Sequence, residues 1–149
     1  MPSEATNRAT RKEWRELGFF YDRDDQAKEW RLVGSRSGLL RFRDLLLKYA
    51  GEPRNAKQSE HEHYGPYMYL KVMTWPDAGV DQNAIRGQLA DLKRLADIVD
   101  GRLKTASPGS MLRVQREYVE DTDYLLVFDV KEEGFDPASA DPMLPGEAS

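Results

Sequence analysis

A chain of 149 residues, 40% hydrophobic and 32% charged, is sized for one domain with a real core. It has no apolar run near the ~20 residues of a membrane span, no apolar signal core in residues 1–8, and a formal net charge of −4 that lacks the basic excess of a general nucleic-acid binder. Cysteine is absent, which excludes disulfides and thiol chemistry and fits a soluble, cytoplasmic protein.

Residues 1–9 read as a disordered lead, 10–134 as a single α+β domain and 135–149 as an irregular tail that Phe135 or Leu144 would pin. Thr10 and Glu13 match a capping box, which predicts a short helical turn over about 11–17 stopped by Gly18. Residues 19–22 are aromatic, 23–28 polar, and 29–33 alternate; together they predict a β-hairpin. Leu39, Phe42, Leu45, Leu46 and Tyr49 then recur at helical spacing. Ser37 is the expected N-cap, Gly51 and Pro53 the stop, and Arg36, Arg41, Arg43 and Lys48 the solvated face. The Gly-Ser-Arg-Ser-Gly entry at 34–38 permits an anion cradle at the helix N-terminus, or simply a cap and a tight turn. The lysine-bearing phosphate loop and the dinucleotide glycine pattern are both missing.

After a polar loop over 52–59, residues 59–75 hold both histidines and the best strand candidate. From Pro66, the residues Tyr67, Tyr69, Lys71, Met73 and Trp75 alternate with Met68, Leu70, Val72 and Thr74. Both sets are largely apolar, so this strand is expected to be central and to end before Pro76. Upstream, Glu60, His61, Glu62 and His63 also alternate, so an extended chain puts the imidazoles on one side and the carboxylates on the other. Two such imidazoles could share a metal that a carboxylate completes or orients. A His beside a Glu could instead act as a general base. The bland alternative is a solvated loop whose histidines bond locally, turned into the strand by Gly65-Pro66.

A short strand is expected within 80–86, followed by a second helix over 88–104 with the stripe Leu89, Leu92, Leu95, Ala96, Val99 and Leu103. Residues 111–118 and 124–131 alternate around a turn at 120–123 and predict a second hairpin. The stretches 30–46 and 83–98 share a plan: a short strand, a Gly, then an amphipathic helix. The expected architecture is therefore two-layer α+β in the order ββα-ββα-ββ, a mainly antiparallel sheet with two amphipathic helices on one face.

The segment Ile85-Arg-Gly-Gln-Leu-Ala-Asp-Leu-Lys-Arg-Leu-Ala-Asp-Ile98 resembles small α+β immunity proteins of bacterial polymorphic-toxin systems. Glu-His-Tyr-Gly-Pro-Tyr and Phe-Asp-Pro-Ala-Ser-Ala-Asp-Pro are similar to segments of bacterial proteins of this size, so the likeness spans about 10–142. The resemblance implies a protein that binds and neutralises a cognate toxin; it implies no catalytic residue and no cofactor. Charge placement agrees. Glu117, Glu120, Asp121, Asp123, Asp129, Glu132, Glu133, Asp136 and Asp141 have only Lys131 as a basic neighbour, which suits a basic partner such as a nuclease toxin. The same acids could serve solubility and block edge pairing. The candidate binding residues are Glu60, His61, Glu62, His63, Tyr64, Tyr67, Tyr69, Asp121 and Asp123. The alternative is a metal site or a His/Glu enzyme on Glu60, His61, Glu62 and His63, although no serine elbow, zincin helix or lysine-bearing phosphate loop accompanies them. As a third option, Tyr67, Tyr69 and Trp75 could line a small-molecule pocket or simply fill the core.

Overall fold

The computed structural model describes residues 3–146. Its first element is a helix, α1 (Glu4–Leu17), that runs through most of the expected disordered lead. The Ser3 hydroxyl caps it by accepting the Thr6 amide, and Gly18, at φ 96°, ends it by returning its own amide to the Trp14 carbonyl. Thr10 and Glu13 lie inside the helix and cap nothing. Trp14, fully buried, anchors the helix to the core.

Among the described residues eight strands follow: β1 (Phe20–Asp24), β2 (Glu29–Ser35), β3 (His61–Tyr64), β4 (Leu70–Thr74), β5 (Gly79–Val80), β6 (Ile85–Gly87), β7 (Met111–Val114) and β8 (Leu125–Lys131). Helix α2 (Arg36–Ala50) follows β2, and α3 (Leu89–Lys104) follows β6. The strands form two four-stranded sheets, β1-β2-β8-β7 and β3-β4-β6-β5, instead of the one sheet expected. Both are mixed and built alike: two antiparallel hairpins joined by a parallel central pair, β2 with β8 and β4 with β6. The element order also differs from ββα-ββα-ββ, because α1 precedes β1, β3 is an added strand, and the short strand expected within 80–86 is a hairpin, β5–β6, before α3.

The shared plan of the two helix entries is real in the backbone. Gly34 and Ser35 lead into α2, Gly87 and Gln88 into α3. A Cβ on Gly87 would meet the Tyr118 hydroxyl at 2.6 Å, so the approach requires glycine. Ser35 is the N-cap of α2, accepting from the Gly38 amide, two residues before the expected Ser37. The stripes pack as their periods require: Leu39, Phe42, Leu46 and Tyr49 from α2 and Leu92, Leu95, Ala96, Val99 and Leu103 from α3 join one buried cluster with Leu32, Val72, Ile85 and Phe128. Helix α2 packs on α3 and on β2 and β8, and α3 packs on β6. Of the expected irregular tail, residues 147–149 lie outside the described residues, and the part from Phe135 to Leu144 is packed. A short turn of 3-10 helix, Pro137–Ala140, packs against α1, and Phe135 and Leu144 lean on the core. Among the described residues, no helix is long and apolar enough to cross a membrane.

Candidate functional site

The Glu-His-Glu-His stretch is a strand, at the edge of its sheet. A bulge launches it. Ser59 takes φ 76° and donates its amide to the Thr74 carbonyl at 2.9 Å, while the Thr74 amide donates to the Glu60 carbonyl at 2.8 Å. The alternation read from the sequence then holds. His61 and His63 share an exposed face, their ring centroids 5.2 Å apart and the planes nearly perpendicular at 86°. Each Nδ1 lies 3.0 Å from a backbone carbonyl, that of Ser59 for His61 and that of Met68 for His63. A carbonyl only accepts, so both Nδ1 atoms carry the proton and both Nε2 atoms are left as acceptors. Glu62 lies on the opposite face beside the Tyr64 hydroxyl. Burial, then the Glu62 charge, push the Tyr64 phenol well up. The Glu60 and Glu62 charges also reach Tyr49, adding to burial in raising its phenol. The Glu62 carboxylate thus lies away from the imidazoles. Among the described residues, no group of three or more His, Asp and Glu side chains is placed to hold a metal ion.

The expected strand over 66–75 begins only at Leu70. Gly65 at φ 86° and Met68 at φ 60° turn the chain, so Tyr67, Met68 and Tyr69 form a loop. Tyr21 of β1 holds both of its ends: its hydroxyl donates to the Tyr64 carbonyl and accepts the Tyr69 amide at 3.1 Å. Its ring also fills the space where a Cβ on Gly65 would lie. The loop, β1 and the C-terminal segment enclose a cleft of about 270 Å³, lined by Tyr21, Arg23, Trp30, Tyr67, Tyr69 and Met143 among others. Trp75 is not part of it; it lies beyond β4, near Pro76 and Gln88.

The floor of the cleft rests on Asp141, a residue the sequence places in an acidic tail. It is 96% buried, with 4% of its surface left exposed. Its carboxylate accepts the Trp14 indole N–H at 2.8 Å, the Tyr67 hydroxyl at 2.6 Å and the Met143 amide at 2.8 Å. Burial, then the bond to Asp141, push the Tyr67 phenol far above its ordinary value, so it stays a donor. Trp14, Tyr21, Arg23, Trp30, Asp141 and Met143 were missed as site residues because they come from three distant segments. The one local signal was the Asp-Pro pair at 141–142, which marks a turn.

Asp121 and Asp123 are exposed on the turn before β8. Thr122 fastens that turn to Val80 through both its oxygen lone pair and its proton, and the Tyr124 hydroxyl donates to Asp25 at 2.7 Å. Asp25 in turn pairs with Arg23 of the cleft at 2.7 Å, and Asp123 lies 3.9 Å from Lys28. Asp123 therefore meets the tip of the β1–β2 hairpin, where Asp25 and Arg23 adjoin the cleft. Several other acids of the run are engaged elsewhere: Glu117 pairs with Arg102, Asp129 with Lys131, and Asp136 with Arg15. Glu133 occupies the α2 N-terminus, accepting the Ser37 hydroxyl at 2.6 Å and the Ser37 amide at 3.2 Å. The place considered for an external anion thus holds the chain's own carboxylate.

No family model, no curated protein and no solved structure matches the chain, so a functional reading rests on this geometry.

Proposed function

We propose that the chain is a protein-binding module whose contact surface is the aromatic cleft and its rim. The carrying observation is the exposure of large apolar side chains there: Tyr69 is 67% exposed, Met68 56% and Met143 74%. Contiguous apolar surface of this kind marks interaction sites, and Tyr, Trp, Met and Arg are the residues enriched in them. The rim is held in place before any partner arrives, by Asp141 under Tyr67 and by Tyr21 under Tyr69. Such preorganisation lowers the entropy lost on binding. His61 and His63 border the loop on one side, Asp123 and Asp25 border the hairpin tip on the other, and Asp121 is exposed two residues before Asp123. That charge suits a basic protein domain, in keeping with an immunity protein that neutralises a cognate toxin in the cytoplasm. Neither nucleic acid nor a membrane is the proposed partner.

The test is a pull-down from source cells expressing their toxins, with wild type beside the Tyr69→Ala/Met143→Ser variant and an Asp121→Lys/Asp123→Lys variant. A stoichiometric basic partner held by wild type, and lost or weakened in both variants, supports the reading. Equal retention by all three removes this surface, and a blank with wild type removes the immunity function.

A further inference from the structure

We propose that His61, His63 and Met73 form a surface site for a soft monovalent cation, copper(I). In the β3–β4 hairpin His61 stands directly across from Met73, and His63 across from Lys71. Cross-strand partners share a face of the sheet, so the Met73 thioether and both imidazoles lie on one side. The bulge at Ser59 and Glu60 makes Thr74 the bonded partner there, which leaves His61–Met73 a non-bonded pair. Pairs of that kind are the closer ones, with Cα atoms about 4.5 Å apart. Met73 is half-buried, and the histidines are exposed on an edge strand.

The donor set points to the ion. Both Nδ1 atoms are engaged by backbone carbonyls, the arrangement that orients a metal-binding imidazole and leaves Nε2 to coordinate. Two imidazoles and a thioether are neutral and comparatively soft, a set that suits copper(I). Magnesium and calcium need oxygen ligands, and the neighbouring Glu62 carboxylate lies on the other face, beside Tyr64. Lys71 adds a positive charge to the same face. Its repulsion is twice as large for a dication as for a monocation. This cation site borders the proposed partner surface through His63 and the 65–69 loop, but it needs no partner to form, and metal binding is read out separately from partner capture.

The experiment is an anaerobic competition between the protein and bicinchoninate for copper(I), with ascorbate present, beside a zinc(II) titration. Wild type should withdraw one equivalent of copper(I) and bind zinc(II) more weakly. Met73→Leu, nearly isosteric, and His61→Ala/His63→Ala should each weaken copper(I) binding by about tenfold or more. Met111→Leu, on β7 of the other sheet, should bind as wild type does. X-ray absorption at the copper edge should show a sulfur ligand in wild type and none in Met73→Leu, and circular dichroism should show every variant folded. No withdrawal of copper(I), unchanged affinity in Met73→Leu, or zinc(II) bound as tightly as copper(I) would each overturn the proposal.

Discussion

Asp141→Ala should destabilise the protein by about 2–4 kcal/mol, because it removes one acceptor from three donors. The three are unequal. The Trp14 indole N–H is fully buried and has no route to water, so its loss carries the desolvation penalty of an unsatisfied buried donor, about 1–3 kcal/mol. The Tyr67 hydroxyl and the Met143 amide lie nearer the surface, where water replaces part of what is lost. Asp141→Asn should cost less. Its carbonyl oxygen can keep Trp14 and Tyr67, which share one carboxylate oxygen, but its amide nitrogen would then face the Met143 N–H, donor against donor. Urea unfolding reads the difference as a shift of midpoint at constant slope. A spectrophotometric titration adds an independent signal, since the Tyr67 phenol should fall toward its ordinary value in both variants. An Asp141→Ala protein within ~0.5 kcal/mol of wild type, the range of an indifferent surface change, would refute the account of this carboxylate as the strut of the cleft.

Other perturbations test other parts. Gly101→Ala should stabilise α3 by about 1 kcal/mol in urea or thermal unfolding, because a Cβ there meets nothing within 4 Å and alanine is the better helix former. Gly65→Ala should cost about 1–3 kcal/mol by the same assay from its positive φ alone, and more because its Cβ would sit 2.5 Å from the Tyr21 ring. In acid, Glu133 and Asp136 are both held below the usual carboxylate range, the first by the Ser37 hydroxyl and amide, the second by Arg15. A depressed folded pKa stabilises above the unfolded value and loses that contribution as the pH falls through the folded one. Stability should therefore decline below about pH 4.5, the ordinary value for Glu133, and a Glu133→Gln/Asp136→Asn protein should show a shallower decline in urea midpoints measured across that range.

The elements that were legible in the sequence are those whose signal is local. The stripes of α2 and α3 are local because each residue's face follows from its neighbours a turn away. The hairpin of β1 and β2 was legible too, because an aromatic run and an alternating run flank one polar turn. The side on which His61 and His63 lie also needed only the two-residue period of a strand. Alternation misled at Tyr67 and Tyr69, whose pattern matches the strand that follows although Gly65 and Met68 turn the chain between them. Nothing in the order of residues says that Ser35 pairs beside Lys131, since a parallel pair so distant in sequence is selected by what the whole core can bury. The same holds for the cleft. Asp141 becomes a buried strut only after α1, β1 and the 65–69 loop have brought Trp14 and Tyr67 to it. The sequence determined α2 and α3 with the faces they bury, and the alternating strands β2, β4 and β8. The tertiary structure decided which strands became neighbours, and with that which polar groups found partners and which aromatic side chains remained exposed.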